Sequence, residues 1–496
     1  MGAEGKISDN EGLGLAQRVK GAIMWRSGSQ VVAQIINWSA TFIVIRRLDP
    51  SDYGLFAMTQ LVLIFLTLMN GYGFANSLIR DQSITREKIA QAFGMLILLN
   101  GSLAITQFLL APVAAAYFRQ PIIADLLRVQ ALIYLATPFI ALPNALLSRE
   151  MNFRHQAQVD LFAALFGAGT MLLLSANGYG VWTLVAGGIV LFWTRAIGMT
   201  MAARRLVPPS FRFRGAGAMF RYGGAMVLVQ FFWFVQSQGD VFIAGRVLGP
   251  HDLGLYTTSL FLTQILAAKF VPPLNDVAFA AYSRIQGDRG AVASSFCKAV
   301  RLIMLVAMPF YLGLAATAEP LVLTFLGEKW IETVPLVRVL ALAMPFMTLQ
   351  ILFTPATNAL GRSGVALRVA ISGAVILPLA FLVGIQWGVS GMAWAWLGGF
   401  PIHLIITAAI ALPVIGVSTS QLTRAVAPAV LAAAAMAALV LMLDGMLPPL
   451  SAPVRFSALV AAGAAAYGAC LFLFARHALG DALALVRKGA PSAAAA

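Results

Sequence analysis

Long apolar runs separated by short polar ones fill this chain from about residue 22 to residue 475. A bilayer core about 30 Å thick is crossed by roughly 20 helical residues. Windows of that kind fall at 22–45, 54–77, 90–117, 122–146, 157–176, 180–203, 222–245, 254–276, 297–317, 333–358, 365–386, 389–412, 422–443 and 456–475. The pattern predicts an all-α, polytopic membrane protein with about fourteen transmembrane helices. The breaks at 177–180 and 386–389 are short enough to be read through as continuous apolar sequence. An even number of spans puts both termini on one side.

The basic residues orient that frame. Arg46, Arg47, Arg119, Arg246, Lys329 and Arg455 fall in one set of alternating loops, and Arg26, Arg128, Arg195, Lys269 and Arg338 fall inside spans. The rest of the 34 Lys and Arg lie in the tails and in the other set of loops. The positive-inside rule therefore places both termini in the cytoplasm, together with the loop 204–221 and its Arg204, Arg205, Arg212, Arg214 and Arg221.

Composition narrows the classes. Of 496 residues, 60% are hydrophobic and 11% charged, against about 25% charged in soluble domains, and mean hydropathy is +0.84. Soluble enzymes, nucleic-acid-binding modules and secreted disulfide scaffolds are excluded. The net charge of +15 records membrane orientation, and no nucleic-acid partner is expected. Cys297 and Cys470 lack partner spacing, so neither a disulfide nor a metal site is read, and no cofactor is expected. Residues 1–21 are mostly polar, and no cleaved signal peptide is expected.

The chain also repeats itself. TFIVIRRLDPSDYGLF at 41–56 matches VFIAGRVLGPHDLGLY at 241–256 at half its positions, including Arg46 with Arg246, Pro50 with Pro250 and Asp52 with Asp252. Leu-Leu-Arg-Val-Gln-Ala-Leu from Leu126 matches the stretch from Leu336 at an offset of 210, and Gly187 and Gly188 match Gly398 and Gly399 at 211. Two six-helix bundles of the same orientation follow, related by an axis along the membrane normal, with two helices appended. The expected organisation is a cytoplasmic segment 1–21, a bundle 22–203, a basic linker 204–221, a second bundle 222–412, two further helices in 413–476 and a cytoplasmic tail 477–496.

Ionisable groups within spans are costly and mark function by default. Lys269 precedes Pro272 and Pro273, which remove the amides that would bond the carbonyls of Ala268 and Lys269. Two readings are open for it: a cation lining a wet cavity, or a lysine snorkelling from a kink near the inner boundary. Arg26, one turn inside the first span, has the same two readings. Arg128 and Arg338 occupy equivalent repeat positions, where an outward-open cavity and simple scaffold duplication explain them equally. Asp160 and Arg195 stand almost symmetrically about the turn near Gly178, which favours a helix-to-helix ion pair. Asp240 reads as a coupling-cation or proton site, or as a partner of Arg246. The four histidines, His155, His251, His403 and His477, are scattered. The stretch from Glu319 to Trp330 is amphipathic and is expected to lie along the outer membrane surface.

Several motifs carry a family resemblance: LDPSDYGLFA at 48–57, GFANSLIR at 73–80, LLSREMNFR at 146–154, GYGVW at 178–182, GRVLGPHDLGLY at 245–256, AEPLVLTFLGEKW at 318–330 and NALGRSG at 358–364. Together they resemble the polysaccharide transporter family of oligosaccharide flippases, in the superfamily that also holds multidrug exporters and the lipid II flippase. The resemblance implies a polyprenyl-diphosphate-linked oligosaccharide as substrate, moved across a bacterial inner membrane for exopolysaccharide, capsule or O-antigen assembly beside a polymerase and export machinery. A sugar diphosphate needs a cationic, water-accessible cavity, and the candidates for contact with it are Lys269, Arg26, Arg128 and Arg338. The alternative is a multidrug or small-cation exporter of the same superfamily, which wants carboxylates at that depth. A polymerase or ligase acting on lipid-linked sugars needs catalytic groups on a sizeable outer loop, and no catalytic residue is read in this chain.

Overall fold

A computed structural model of the chain describes residues 28–70, 85–204, 207–212 and 217–474. Among them there is no strand. The first half holds α1 (Gly28–Arg47), α2 (Pro50–Thr67), α3 (Arg86–Phe118), α4 (Ile122–Gln130), α5 (Leu132–Arg149), α6 (Phe153–Ala176) and α7 (Trp182–Ala203). There follow α8 (Gly217–Val247), α9 (Pro250–Lys269), α10 (Val271–Arg284), α11 (Arg289–Ala316), α12 (Ala318–Phe325), α13 (Thr333–Ile351) and α14 (Phe353–Ala359). The chain continues with α15 (Ser363–Gly384), α16 (Gly388–Ile415), α17 (Thr419–Met446) and α18 (Ala452–Phe474).

Ten stretches among the described residues are long and apolar enough to cross a bilayer, and one of them, Gly364–Ile415, contains both α15 and α16. Of the predicted windows, 222–245 falls on α8, α2 covers 54–77 as far as Thr67, and 254–276 runs across the break between α9 and α10. The polytopic all-α expectation is thereby met.

Helix starts follow local chemistry. In the duplicated Leu-x-Pro-x-Asp-x-Gly motif the proline is the first helical residue of α2 and of α9, where no backbone N–H is needed. Asp52 Oδ2 accepts from the Asp49 amide at 3.1 Å and closes the start of α2. At α17 Ser418 Oγ accepts from the Gln421 amide at 3.2 Å, while Gln421 Oε1 accepts from the Ser418 amide at 2.9 Å.

The chain divides into two compact units, residues 1–231 and 232–496, the division falling inside α8. In the first unit α6 and α7 form an antiparallel hairpin, α5 packs on α7 and α3 packs on α5. Small residues let these helices approach: Ala92, Phe93 and Leu96 of α3 meet Ala141, Leu142 and Ala145 of α5. The strap 207–212 of the expected linker crosses α3, its Ser210 amide donating to the Ala90 carbonyl at 2.9 Å. The crossing requires Gly94, because a Cβ there would overlap the carbonyl oxygen of Ser210.

In the second unit α11 packs on α13 and α17, α13 packs on α9 and α16, and α15 packs on α16. The last two helices belong to this unit: Met436 and Val440 of α17 and Leu459 of α18 share a core with Ala316. A charge cluster ties them down. Arg455 holds Asp444 through Nε at 2.6 Å and Nη2 at 2.8 Å, and its Nη1 reaches Glu319 Oε1 at 3.4 Å.

The expectation for Glu319–Trp330 is corrected. The segment splits into α12 and a short 3₁₀ turn, Glu328–Trp330, joined through Gly327 at a φ of +93°. Trp330 is fully buried, so it serves as a core residue and not as a surface anchor. Amphipathic periodicity had identified a helix with two faces but could not tell which neighbour covered each.

Candidate functional site

Lys269 stands at a joint between helices. It is the last residue of α9 and is exposed, and α10 begins two residues later with Pro272 and Pro273 in its first turn. Phe270 N–H still bonds the Leu266 carbonyl at 3.0 Å, but the prolines offer no amide to Ala268 and Lys269. A second break lies beside the first. α13 gives way to α14 at Leu352, α10 packs on α14, and Asn275 Nδ2 donates to the Ile351 carbonyl at 3.4 Å. Two interrupted helices thus meet near their breaks, with an ammonium at one of them. Interrupted backbone at membrane depth is tolerated where protein or water surrounds it. Among the described residues no carboxylate lies within ion-pair distance of Lys269.

The other predicted cations are differently placed. Arg128 Nη1 contacts Asp125 Oδ1 at 3.2 Å, one turn back on α4, and its guanidinium lies 5.4 Å from the centre of the Phe108 ring. Arg338 Nη2 stands 3.9 Å from Glu319 Oε2, at the edge of the Arg455 cluster. Both arginines therefore carry a carboxylate neighbour that an incoming anion would have to share. Arg26 lies outside the described residues, as does the motif at 73–80. Arg195 Nε is 2.7 Å from Asp160 Oδ1 across the α6–α7 hairpin.

Asp240 is buried at 2% exposure in the last third of α8. Its Oδ2 accepts from the Tyr256 hydroxyl at 2.8 Å, and its Oδ1 from the Val241 amide at 2.8 Å. Tyr256 in turn accepts from Trp396 Nε1 at 2.6 Å. A hydrogen-bonded chain thus runs from α8 through α9 to α16. The alternative of an Arg246 partner is not needed to account for its polar contacts.

Sequence reasoning missed His403. It is fully buried in the middle of α16, its ring edge-on to Phe400 at 6.3 Å, and Phe400 stacks on Trp396 at 4.8 Å. The signal was available: an imidazole sits inside a 52-residue apolar stretch. A separate cavity of about 330 Å³ lies at the start of α3, lined by Arg86, Glu150 and Val207 among others, and holds none of the predicted residues.

Known proteins resemble this chain in sequence and in fold. The succinoglycan biosynthesis transport protein ExoT of Rhizobium meliloti is 26% identical over 355 residues, which cover 72% of each chain. The teichuronic acid biosynthesis protein TuaB of Bacillus subtilis is 22% identical over 389 residues, 72% of this chain and 80% of that one. Among solved structures, the lipid II flippase MurJ in an inward closed conformation superposes with a TM-score of 0.74 at 13% identity, covering 92% of this chain and 99% of its own. That likeness shows a common fold. A family model described as polysaccharide biosynthesis protein matches residues 43–335, more than half the chain, and the chain belongs to that family.

Proposed function

We propose that this chain is a flippase that carries polyprenyl-diphosphate-linked oligosaccharide repeat units across the bacterial inner membrane for assembly of an exopolysaccharide, capsule or O-antigen. The observation that carries the reading is the similarity to ExoT, a transport protein of succinoglycan biosynthesis, over 72% of both chains. Family membership and the fold shared with a lipid II flippase support it. The chain moves its substrate and makes or breaks no bond in it, so it is a transporter and not an enzyme. Its termini face the cytoplasm, its substrate enters from the inner leaflet, and a polymerase and export machinery take the product on the far side.

Lys269 is the leading contact for the diphosphate. An ammonium beside interrupted backbone attracts an anion more strongly than it would in bulk water, because the local dielectric is lower. Arg26 is the second candidate on the inner side, and Arg128 and Arg338 serve the outward-open stage, each after sharing its carboxylate. The two repeats, 22–203 and 222–412, alternate access to the bound head, and Asp240 contributes to coupling. The test is complementation of a strain that lacks this chain. Restored polymer with Lys269→Arg retaining export, and Lys269→Ala and Lys269→Glu losing it at unchanged membrane abundance, is the expected outcome. Wild-type export from Lys269→Glu would remove Lys269 from the site, and failure of the intact chain to restore polymer would remove the flippase reading.

A further inference from the structure

His403 has one committed nitrogen and one open one. Ser372 Oγ donates its proton to the Val369 carbonyl at 2.8 Å, so toward His403 Nδ1, at 3.4 Å, the hydroxyl oxygen acts as acceptor. The Nδ1 position therefore carries the ring proton, and Nε2 is left as a bare lone pair. Nε2 is buried and has no hydrogen-bond partner. Nearby, the Thr407 hydroxyl is also buried without a partner. Gly373 makes room for this cluster: a Cβ there would collide with Gln236 Oε1 and stand 3.0 Å from His403 Cε1. An amide oxygen and the imidazole edge thus share the space over one glycine.

The repeat shows that the scaffold did not require these groups. At the offset of 200, Asp240 corresponds to Ala40 and Tyr256 to Phe56; at 211, Trp396 corresponds to Val185, Phe400 to Ile189 and His403 to Phe192. All the first-repeat counterparts are apolar, and Ala40 and Val185 are buried core residues. The same architecture is built there without a buried carboxylate or imidazole. Polar groups that packing does not need, at a depth where they are costly, point to a ligand.

We propose that His403 is a proton-exchange site of the second unit, with Nε2 as the base, Gln236 beside the same glycine as the ring, and the Asp240–Tyr256–Trp396 chain two turns away along α16 beyond Phe400. The step is an addition. A proton from water at the mouth of the bundle bonds to Nε2, the imidazole becomes an imidazolium, and reversal returns the proton to water on the other side. A metal cation fits less well. The carboxylate of Asp240 already accepts from Tyr256 and from the Val241 amide, and no cluster of three His, Cys, Asp or Glu exists among the described residues. Hard cations need several oxygen acceptors, whereas an unoccupied imidazole nitrogen takes a proton.

The ionisable groups on the elements packed against α16 leave His403 to this role. From α8 the described groups are Asp240 and Arg246, and from α9 they are His251, Asp252, Tyr256 and Lys269. On α15 Arg368 Nε bonds the Gly364 carbonyl, and on α13 Arg338 stands by Glu319. On α11 Arg289 donates to the carbonyls of Pro413 and Val414 at the end of α16, Tyr311 bonds Thr348, and Cys297, Lys298 and Arg301 lie within the first four turns of the helix. None is on α14. Asp240 and Tyr256 are the groups joined to the His403 ring, through Trp396 and Phe400.

The purpose of this site rests on the transport reading, but its existence is testable without it. Purified full-length chain in nanodiscs, taken from pH 8 to pH 4 in weak buffer with a pH dye, should take up more protons per chain than His403→Gln or His403→Asn, the difference rising toward one at the acid end, with sodium replaced by choline throughout. Two variants guard against misfolding of one, and size-exclusion behaviour and membrane abundance report on both. Export in cells should fall at least tenfold in both variants at normal abundance. Equal proton uptake by wild type and variants overturns the site. A missing proton with unchanged export overturns its coupling role. Failure of the wild-type chain to export polymer, with the proton difference intact, speaks against the flippase reading and leaves the proton site standing.

Discussion

The two units of this chain differ in the charge they bury. In the first unit the mid-helix charges of α6 and α7 close on one another, Arg195 with Asp160 at 2.7 Å, and Arg128 rests on Asp125 and the Phe108 ring. In the second unit Asp240 and His403 sit deep among helices whose duplicated counterparts are apolar there. Both units use ion pairs as mortar between helices, Arg338 with Glu319 in the second, and the second adds buried titratable groups whose hydrogen-bond partners are neutral. The sequences descend from one pattern, so the difference lies in a handful of side chains and not in the architecture. Duplication thus separates two demands, since one copy can remain a scaffold while the other acquires buried chemistry.

The largest test of this contrast is to break the mortar. Asp160→Ala or Arg195→Leu removes one partner of the pair, a change that costs roughly 3–5 kcal/mol for a fully buried pair and less for one about a third exposed. Membrane abundance and thermal unfolding should fall sharply in each single variant and recover in the double variant. A double variant worse than either single one would show that the pair is not structural. Next in size is Arg455→Leu, which strands Asp444 and leaves Glu319 with Arg338 alone. The loss of charged hydrogen bonds of this kind is about 1.5–3 kcal/mol, and limited proteolysis should release the hairpin α17–α18 before the rest of the unit.

Tyr256→Phe probes the second unit directly. It leaves Trp396 Nε1 and Asp240 Oδ2 each without a hydrogen-bond partner, at a cost of about 1–3 kcal/mol for stranded buried groups. The reciprocal change in the first repeat, Phe56→Tyr, adds a hydroxyl where Ala40 stands in place of the Asp240 carboxylate and should not create pH-dependent behaviour. The smallest effect belongs to Arg128→Gln. An exposed pair contributes about 0–1 kcal/mol, so thermal stability should barely move, and any large loss of export at normal abundance would assign Arg128 to the substrate path.

Much of the fold was legible because hydropathy and helix length answer the same question. The window at 157–176 falls on α6 and that at 180–203 on α7, and the prolines after Lys269 announced the break before α10. What hydropathy does not carry is azimuth, meaning which side of a helix faces which neighbour. That is why Trp330 read as an interfacial anchor and is a core residue, and why His403 read as one of four scattered histidines and lies on a line with Trp396 and Phe400. The cluster of Arg455, Asp444 and Glu319 joins residues far apart in the chain, and no local pattern announces such a meeting. Asp160 and Arg195 were easier to bring together, because equal distances from a tight turn impose equal depth.

The strap over Gly94 bears on how the protein is made. Ser210 is already hydrogen-bonded to α3 within the first unit, and at about 5–20 residues per second the chain that follows it takes tens of seconds to synthesise. The first unit therefore holds its own closing segment while most of the second is still on the ribosome. A larger residue at position 94 would leave that unit open during the interval in which its unpaired helices are most exposed to quality control. The defect would register as degradation of nascent chains, not as a fault in the finished transporter.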